Sequence, residues 1–173
     1  MKEQTVTIAE TERLVVRHFD LNDASYILTQ LNDPAFIQYI VDKKVRDLEA
    51  ARDYLRNGPL QAYTKVGYGL NAVVLKSSNT VIGMCGLVLR SELPHPDLGY
   101  AFLPEFRRQG FAREAALAVI EHSKQAYHLE TILAVTLPDN IASNALLKRL
   151  GFAFEGTQVL YGADNNLYSI RAQ

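Results

Sequence analysis

Asp97-Leu-Gly-Tyr-Ala-Phe-Leu-Pro-Glu-Phe-Arg-Arg-Gln-Gly-Phe-Ala-Arg113 decides the fold. Its first seven residues read as a strand that stops at Pro104. The basic stretch Arg107, Arg108, Gln109, Gly110 follows, and a helical pattern begins at once. The first N–H groups of a helix lack internal partners, and the helix dipole places partial positive charge beside them. Strand, basic turn and helix start together make a site for a phosphate. Gly110 lets a ligand come close to the backbone.

Outward from this segment, Gly110–Tyr127 reads as a long helix with Ala115, Ala118, Val119, His122 and Ala126 as its buried stripe. Thr131–Leu137 is a buried strand. Pro138-Asp139-Asn140 opens a helix that ends at Leu150, where Gly151 and Phe152 form the cap. Short strands near Phe154–Tyr161 and Leu167–Arg171 complete this half. On the N-terminal side, Arg13–Phe19 reads as a strand, and Asn22 or Asp23 caps a helix to about Leu31. Asp42–Asp47 reads as a loop. Asp47 caps a helix over Leu48–Arg56, ended by Gly58-Pro59. Tyr68–Lys76 and Thr80–Arg90 are strands joined by a turn at Ser77-Ser78-Asn79. The order is βααβββαβαββ, a mixed α/β domain spanning residues 1–173.

Composition limits the function classes. The 173 residues are 48% apolar and 21% charged, as in an ordinary globular domain. The net charge of −1 argues against bulk binding to nucleic acid or an anionic membrane. A single cysteine, Cys85, excludes an intramolecular disulfide and a cysteine zinc site. It sits in an apolar strand and reads as core. His18, His95, His122 and His128 share no metal spacing, so no metal is expected. No apolar run is long enough to span a membrane and no secretory leader is visible, so a cytoplasmic location is expected. The chain has no Gly-x-x-x-x-Gly-Lys-Ser/Thr loop, no Gly-x-Ser-x-Gly elbow and no His-Glu-x-x-His.

Two motifs on this element order resemble the GNAT superfamily of acetyl-CoA-dependent N-acetyltransferases. One is Arg107-Arg-Gln-Gly110-Phe-Ala112. The other is Asn140-x-x-Ser143-x-x-x-Leu147-x-x-x-Gly151-Phe152. Thr11-Glu-Arg-Leu14, Asp97-Leu-Gly-Tyr100 and Ala112-Arg-Glu-Ala115 resemble the RimJ/RimL-like branch, which acetylates ribosomal-protein N-termini. The resemblance implies the acyl-CoA N-acyltransferase fold and acetyl-CoA as co-substrate. It places the pyrophosphate on backbone N–H groups from Arg108 through Gly110, Phe111 and Ala112, with Arg107, Gln109 and Arg113 around it. It implies a gap between the strand at Asp97 and the strand at Thr131, in which pantetheine lies beside Ala101, Phe102 and Leu103. A backbone N–H there would be the oxyanion donor. Asn140 matches a pantetheine contact and is equally a helix N-cap. Ser143 matches a serine that protonates the departing thiolate, with Tyr161 and Tyr168 as alternative acids. Asp97 matches an acidic position that could serve as base, with Glu92 and Glu105 as weaker candidates.

The implied acceptor is the N-terminal α-amine of a protein, ribosomal proteins included. An α-amine has a pKa of about 8, so about a tenth is neutral at pH 7 without a strong base. A small-molecule amine is the alternative acceptor, and a non-catalytic acyl-CoA sensor is the alternative function. Both monomers and homodimers occur in the family.

Overall fold

The computed structural model describes residues 5–172. Sixteen segments follow in chain order. β1 (Thr7–Glu10) and β2 (Leu14–Arg17) lead through a short 3₁₀ turn, Leu21–Asp23, into α1 (Ala24–Leu31), α2 (Pro34–Tyr39), α3 (Leu48–Asn57) and α4 (Pro59–Lys65). Then come β3 (Leu70–Leu75), β4 (Thr80–Val88) and β5 (Asp97–Phe102), and a 3₁₀ turn at Pro104–Phe106. α5 (Phe111–Ala126), β6 (Thr131–Thr136), α6 (Ile141–Arg149), β7 (Ala153–Leu160) and β8 (Ala163–Arg171) finish the chain.

The strands form one sheet in the order β1-β2-β3-β4-β5-β6-β8-β7. All neighbours are antiparallel except β5 and β6. Each face carries its own core. Under α5 and α6 lie Leu14, Val16, Leu98, Phe102, Ala115, Val119, Leu147 and Tyr168. Under α1, α2 and α3 lie Phe19, Ile27, Leu31, Ala51, Leu55, Met84 and Leu103. Each fully buried aliphatic side chain contributes about 1.5–3 kcal/mol relative to exposure.

The expected mixed α/β order is present, with three additional elements. β1 pairs with β2 as the outer strand of the sheet. α2 begins at Pro34, capped by the Asp33 carboxylate on the Phe36 amide at 3.3 Å. α4 begins at Pro59. Gly58-Pro59 reads as a helix stop, but a proline is also well suited to a first helical position, where its missing N–H costs nothing. The 3₁₀ turn before α1 is capped by Asp20 rather than Asn22. Asp23 makes no side-chain cap on α1, because its carboxylate is gripped by Arg17 at 2.9 and 3.0 Å.

The buried stripe of α5 is Phe111, Ala115, Ala116, Val119, Ile120 and Ser123. It is rotated from the expected one: His122 is half-buried and Ala126 exposed. Ser123 is tolerated there because its hydroxyl donates to the Val119 carbonyl one turn back, at 2.6 Å. The cap after α6 forms as expected, with the Phe152 amide on the Leu147 carbonyl at 3.0 Å.

Cys85 lies on β4 with no exposed surface, and burial pushes its thiol up to about 12. The thiolate is the reactive form. Native protein is therefore expected to resist Ellman's reagent at pH 8 and to release one equivalent only in denaturant. Rapid native labelling would show that β4 opens.

Candidate active site

Two strands part at the centre of the sheet. β5 and β6 share a single pairing, Asp97 with Leu133, where the Leu133 amide donates to the Pro96 carbonyl at 2.9 Å. Beyond it the strands diverge. The phase of β5 follows from its other neighbour. The Leu103 amide donates to the Ile82 carbonyl of the β4 side at 3.0 Å. Alternation then turns the amides of Asp97, Gly99 and Ala101 toward β4 and those of Leu98, Tyr100 and Phe102 toward the gap. Of the expected oxyanion donors, Leu103 is committed to Ile82 and Ala101 faces β4. Phe102 is the one that faces the gap. Its ring is buried and packs on Gly83, where an added Cβ would lie 2.3 Å away.

The segment after β5 turns sharply to start α5. Arg108 has φ +61°, and Gly110, the residue capping α5, has φ +82°. No side chain caps this helix. Its first N–H groups are left for a ligand, and the dipole favours an anion there. Arg108 and Arg113 are exposed and form no ion pair among the described residues. Arg107 differs. Its guanidinium pairs with the buried carboxylate of Asp33, and its Nε donates to the Phe102 carbonyl at 3.1 Å. Phe111 is buried, so only its backbone is available to a ligand. The Gln109 side chain bonds back to the Glu105 carbonyl at 2.8 Å.

A residue far away in sequence holds this turn from below. Arg13 donates to the Gln109 carbonyl at 3.0 Å and to Glu114 at 2.8 Å, and lies 4.2 Å over the Phe111 ring. Glu114 also accepts from the Thr11 hydroxyl at 2.6 Å. Burial opposes ionisation of Glu114, but these donors outweigh it and hold its carboxyl below the usual range. The stability this network contributes is present at neutral pH and is lost as pH falls through that lowered pKa.

α6 faces the gap from the other side. Asn140 caps it by accepting from the Ser143 amide at 3.3 Å. The Ser143 hydroxyl lies 2.6 Å from the Tyr100 hydroxyl, so β5 and α6 meet across the parted strands. Burial pushes Tyr100 up to about 12, against the opposing bond from Ser143, so it is neutral at pH 7. Asn144, one turn on, accepts from Tyr168 at 2.6 Å and Asn166 at 2.8 Å and donates to the Leu137 and Asn140 carbonyls. It pins α6 to β8.

The remaining candidates lie apart from this cluster. Asp97 is 1% exposed, with Arg90 on both its oxygens at 2.8 and 3.2 Å. Burial raises its pKa despite the bonds to Arg90. Tyr168 is sealed against Asn144, while Tyr161 is exposed and donates to Glu92 at 3.3 Å. Glu105 is exposed on the outer turn. Tyr100 is the residue that motif reading passes over. Its signal is parity, since its side chain shares with Phe102 the face of β5 that meets α5 and α6. Nothing local tells what Thr11, Arg13 and Asp33 do at this turn, because the partners they hold there are 74 to 103 residues away.

No helix among the described residues is long and apolar enough to cross a membrane. The acetyltransferase (GNAT) domain family matches residues 13–153. An uncharacterized N-acetyltransferase of Bacillus subtilis, YoaA, is 30% identical over 172 residues, covering 94% of this chain and 96% of that protein. The ribosomal protein uS5 alanine N-acetyltransferase of Escherichia coli is 33% identical over 78 residues, covering 44% of this chain and 40% of that protein. Among solved structures, the ribosomal L7/L12 α-N-protein acetyltransferase RimL in complex with coenzyme A superposes with a TM-score of 0.81 at 18% identity, covering 97% of this chain and 98% of that one. Fold, matched family and relatives agree: the chain belongs to the GNAT acetyltransferase family and is an N-acetyltransferase.

Proposed function

We propose that the protein transfers acetyl from acetyl-CoA to the N-terminal α-amine of a protein, by direct attack and without an acyl-enzyme. The observation that carries the acetyl-CoA part of this reading is the gap between β5 and β6, with the uncapped start of α5 at one end and the Tyr100–Ser143 pair across it; the acceptor follows the likeness to the uS5 and L7/L12 acetyltransferases. The start of α5, from Gly110 to Arg113, would hold the pyrophosphate, with Arg108 adding charge. The open backbone groups of Tyr100 would pair with pantetheine as a strand edge does. Asn140 has a second role available, because its cap uses only Oδ1 and leaves Nδ2 to donate.

The amine attacks the thioester carbon, forming the C–N bond. The Phe102 N–H would meet the negative oxygen that develops. As the C–S bond breaks, the Ser143 hydroxyl would give its proton to the leaving thiolate, Tyr100, neutral at pH 7, would restore it, and a proton from water, matching the one the amine releases, would return Tyr100 to its neutral form. The attacking nitrogen loses its proton to water. Asp97 enters as the anchor of Arg90 rather than as the proton acceptor, since both its oxygens are engaged. A buried Cys85 supplies no nucleophile for a covalent route.

The test is calorimetric titration with acetyl-CoA, then thiol release against a panel of N-terminal peptides and small amines. Saturable binding and peptide-dependent release are expected. The rate should rise with pH and level off near 8, where an α-amine becomes neutral; a rise continuing toward about 10.4 would indicate a lysine-like amine. Release on small amines alone would change the acceptor, binding without release would make this a sensor, and absence of binding would remove the loop assignment.

A further inference from the structure

The parted strands leave β5 with more open backbone than one ligand edge needs, and a side chain closes part of it. The Phe102 carbonyl faces the gap, yet Arg107 Nε occupies it at 3.1 Å. The peptide joining Phe102 and Leu103 is thus held from both sides, with its N–H on Ile82 and its C=O on Arg107. Arg107 stands where a β6 residue would stand in an unbroken sheet. Its own position is set by Asp33, whose side chain is 5% exposed. Asp33 also caps α2 through the Phe36 amide. Three structures therefore meet at one guanidinium: the wide end of the gap, the cofactor turn and the start of α2.

We propose that Arg107 and Asp33 are positioning residues for the transferred acetyl group, and that Arg107 is not a phosphate ligand. The proposal rests on the acetyl-CoA reading above. With the Phe102 carbonyl closed, the Phe102 N–H is the last open donor of the strand. The clamp fixes the peptide plane beside it and so aims that N–H at the thioester oxygen. Arginine suits the task because its planar fork can serve a carboxylate and a carbonyl at once, which a lysine ammonium does less well. Asp33 supplies the charge that keeps the fork in place without drawing it toward solvent.

The experiment compares two ligands that differ only at the acetyl end, acetyl-CoA and coenzyme A, by calorimetry on wild type, Asp33→Asn and Arg107→Lys. Asparagine caps helices as well as aspartate does, so α2 keeps its cap in Asp33→Asn. Both variants are expected to lose affinity for acetyl-CoA by about three- to tenfold, the worth of one hydrogen bond, with affinity for coenzyme A unchanged. With a ¹³C-labelled thioester, the carbonyl stretch of the bound ligand should move toward its free value in both variants. Equal loss for both ligands would make Arg107 a phosphate contact and overturn the proposal. Unchanged affinity for both, with an unshifted carbonyl band, would overturn it too. Wild type that bound neither ligand would overturn the acetyl-CoA reading itself, a separate failure visible before any variant is made.

Discussion

Gly110→Val is expected to weaken coenzyme A binding by about a hundredfold or more. Two costs combine. Gly110 has φ +82°, a region that L-residues enter at about 1–2 kcal/mol and β-branched ones least readily. The new Cβ would also lie 3.4 Å from Arg13 Nη2, crowding the guanidinium that holds the turn at the Gln109 carbonyl and so shifting the first N–H groups of α5 that an anion must meet. Charge-assisted hydrogen bonds contribute about 1.5–3 kcal/mol each, so misplacing two accounts for a loss of that size. The strain should lower Tm by roughly 2–8 °C for a chain of this length. Gly110→Asn separates the two costs. Asparagine accepts this backbone region, so its Tm should stay closer to wild type while its Cβ still crowds Arg13 beneath the turn. Calorimetry and thermal melts on both variants check this. Wild-type affinity in Gly110→Val would remove the turn from the cofactor site.

Ser143→Ala should lower kcat by about a hundredfold, at the low end of the usual range for a positioned proton donor, with little change in acetyl-CoA affinity. A thiolate of ordinary pKa, about 8.5, needs a proton less as pH rises, so the defect should shrink above about pH 9. That trend distinguishes lost proton donation from lost packing, which would be flat with pH. Tyr100→Phe removes the hydroxyl 2.6 Å from Ser143 and should cost less, about tenfold. The double variant should be little worse than Ser143→Ala alone, because both act on one proton path. Additive losses would show that Tyr100 and Ser143 work separately. Turnover of Ser143→Ala at the wild-type rate would leave the leaving thiolate to solvent.

Local chemistry carries a long way in this chain. The strand ending at Pro104, the helix starting after Gly110, the Asp47 cap and the Gly151 cap all follow from contacts within a few residues. Propensity and capping act over that range, so these elements are legible without coordinates. Two of the misreadings share a cause, a residue type with two local uses. Gly58-Pro59 ends one helix and begins another. Asp23 can cap α1, but Arg17 six residues back takes its carboxylate first. The stripe on α5 is helical in period, yet its phase depends on which side meets the sheet, and the sheet is assembled from strands before and after it.

The candidate site divides along the same line. The sequence by itself determined the turn Arg107–Ala112, the α6 start at Asn140 and the presence of a serine one turn into it, because each rests on backbone groups and side chains adjacent along the chain. Tertiary structure alone decided what those groups face. Parting of β5 from β6 depends on pairings made by separate segments, and it selects Phe102 over Ala101 and Leu103 by the phase set at Ile82. Burial against Arg90 closes Asp97, and approach of α6 brings Ser143 to Tyr100, 43 residues away. Arg107 shows the difference most clearly. Its place in the motif suggests a phosphate, whereas its partner Asp33 lies 74 residues earlier. A charge takes whichever opposite charge the fold leaves beside it in a desolvated place, and that neighbour is a property of the packed molecule rather than of the local chain.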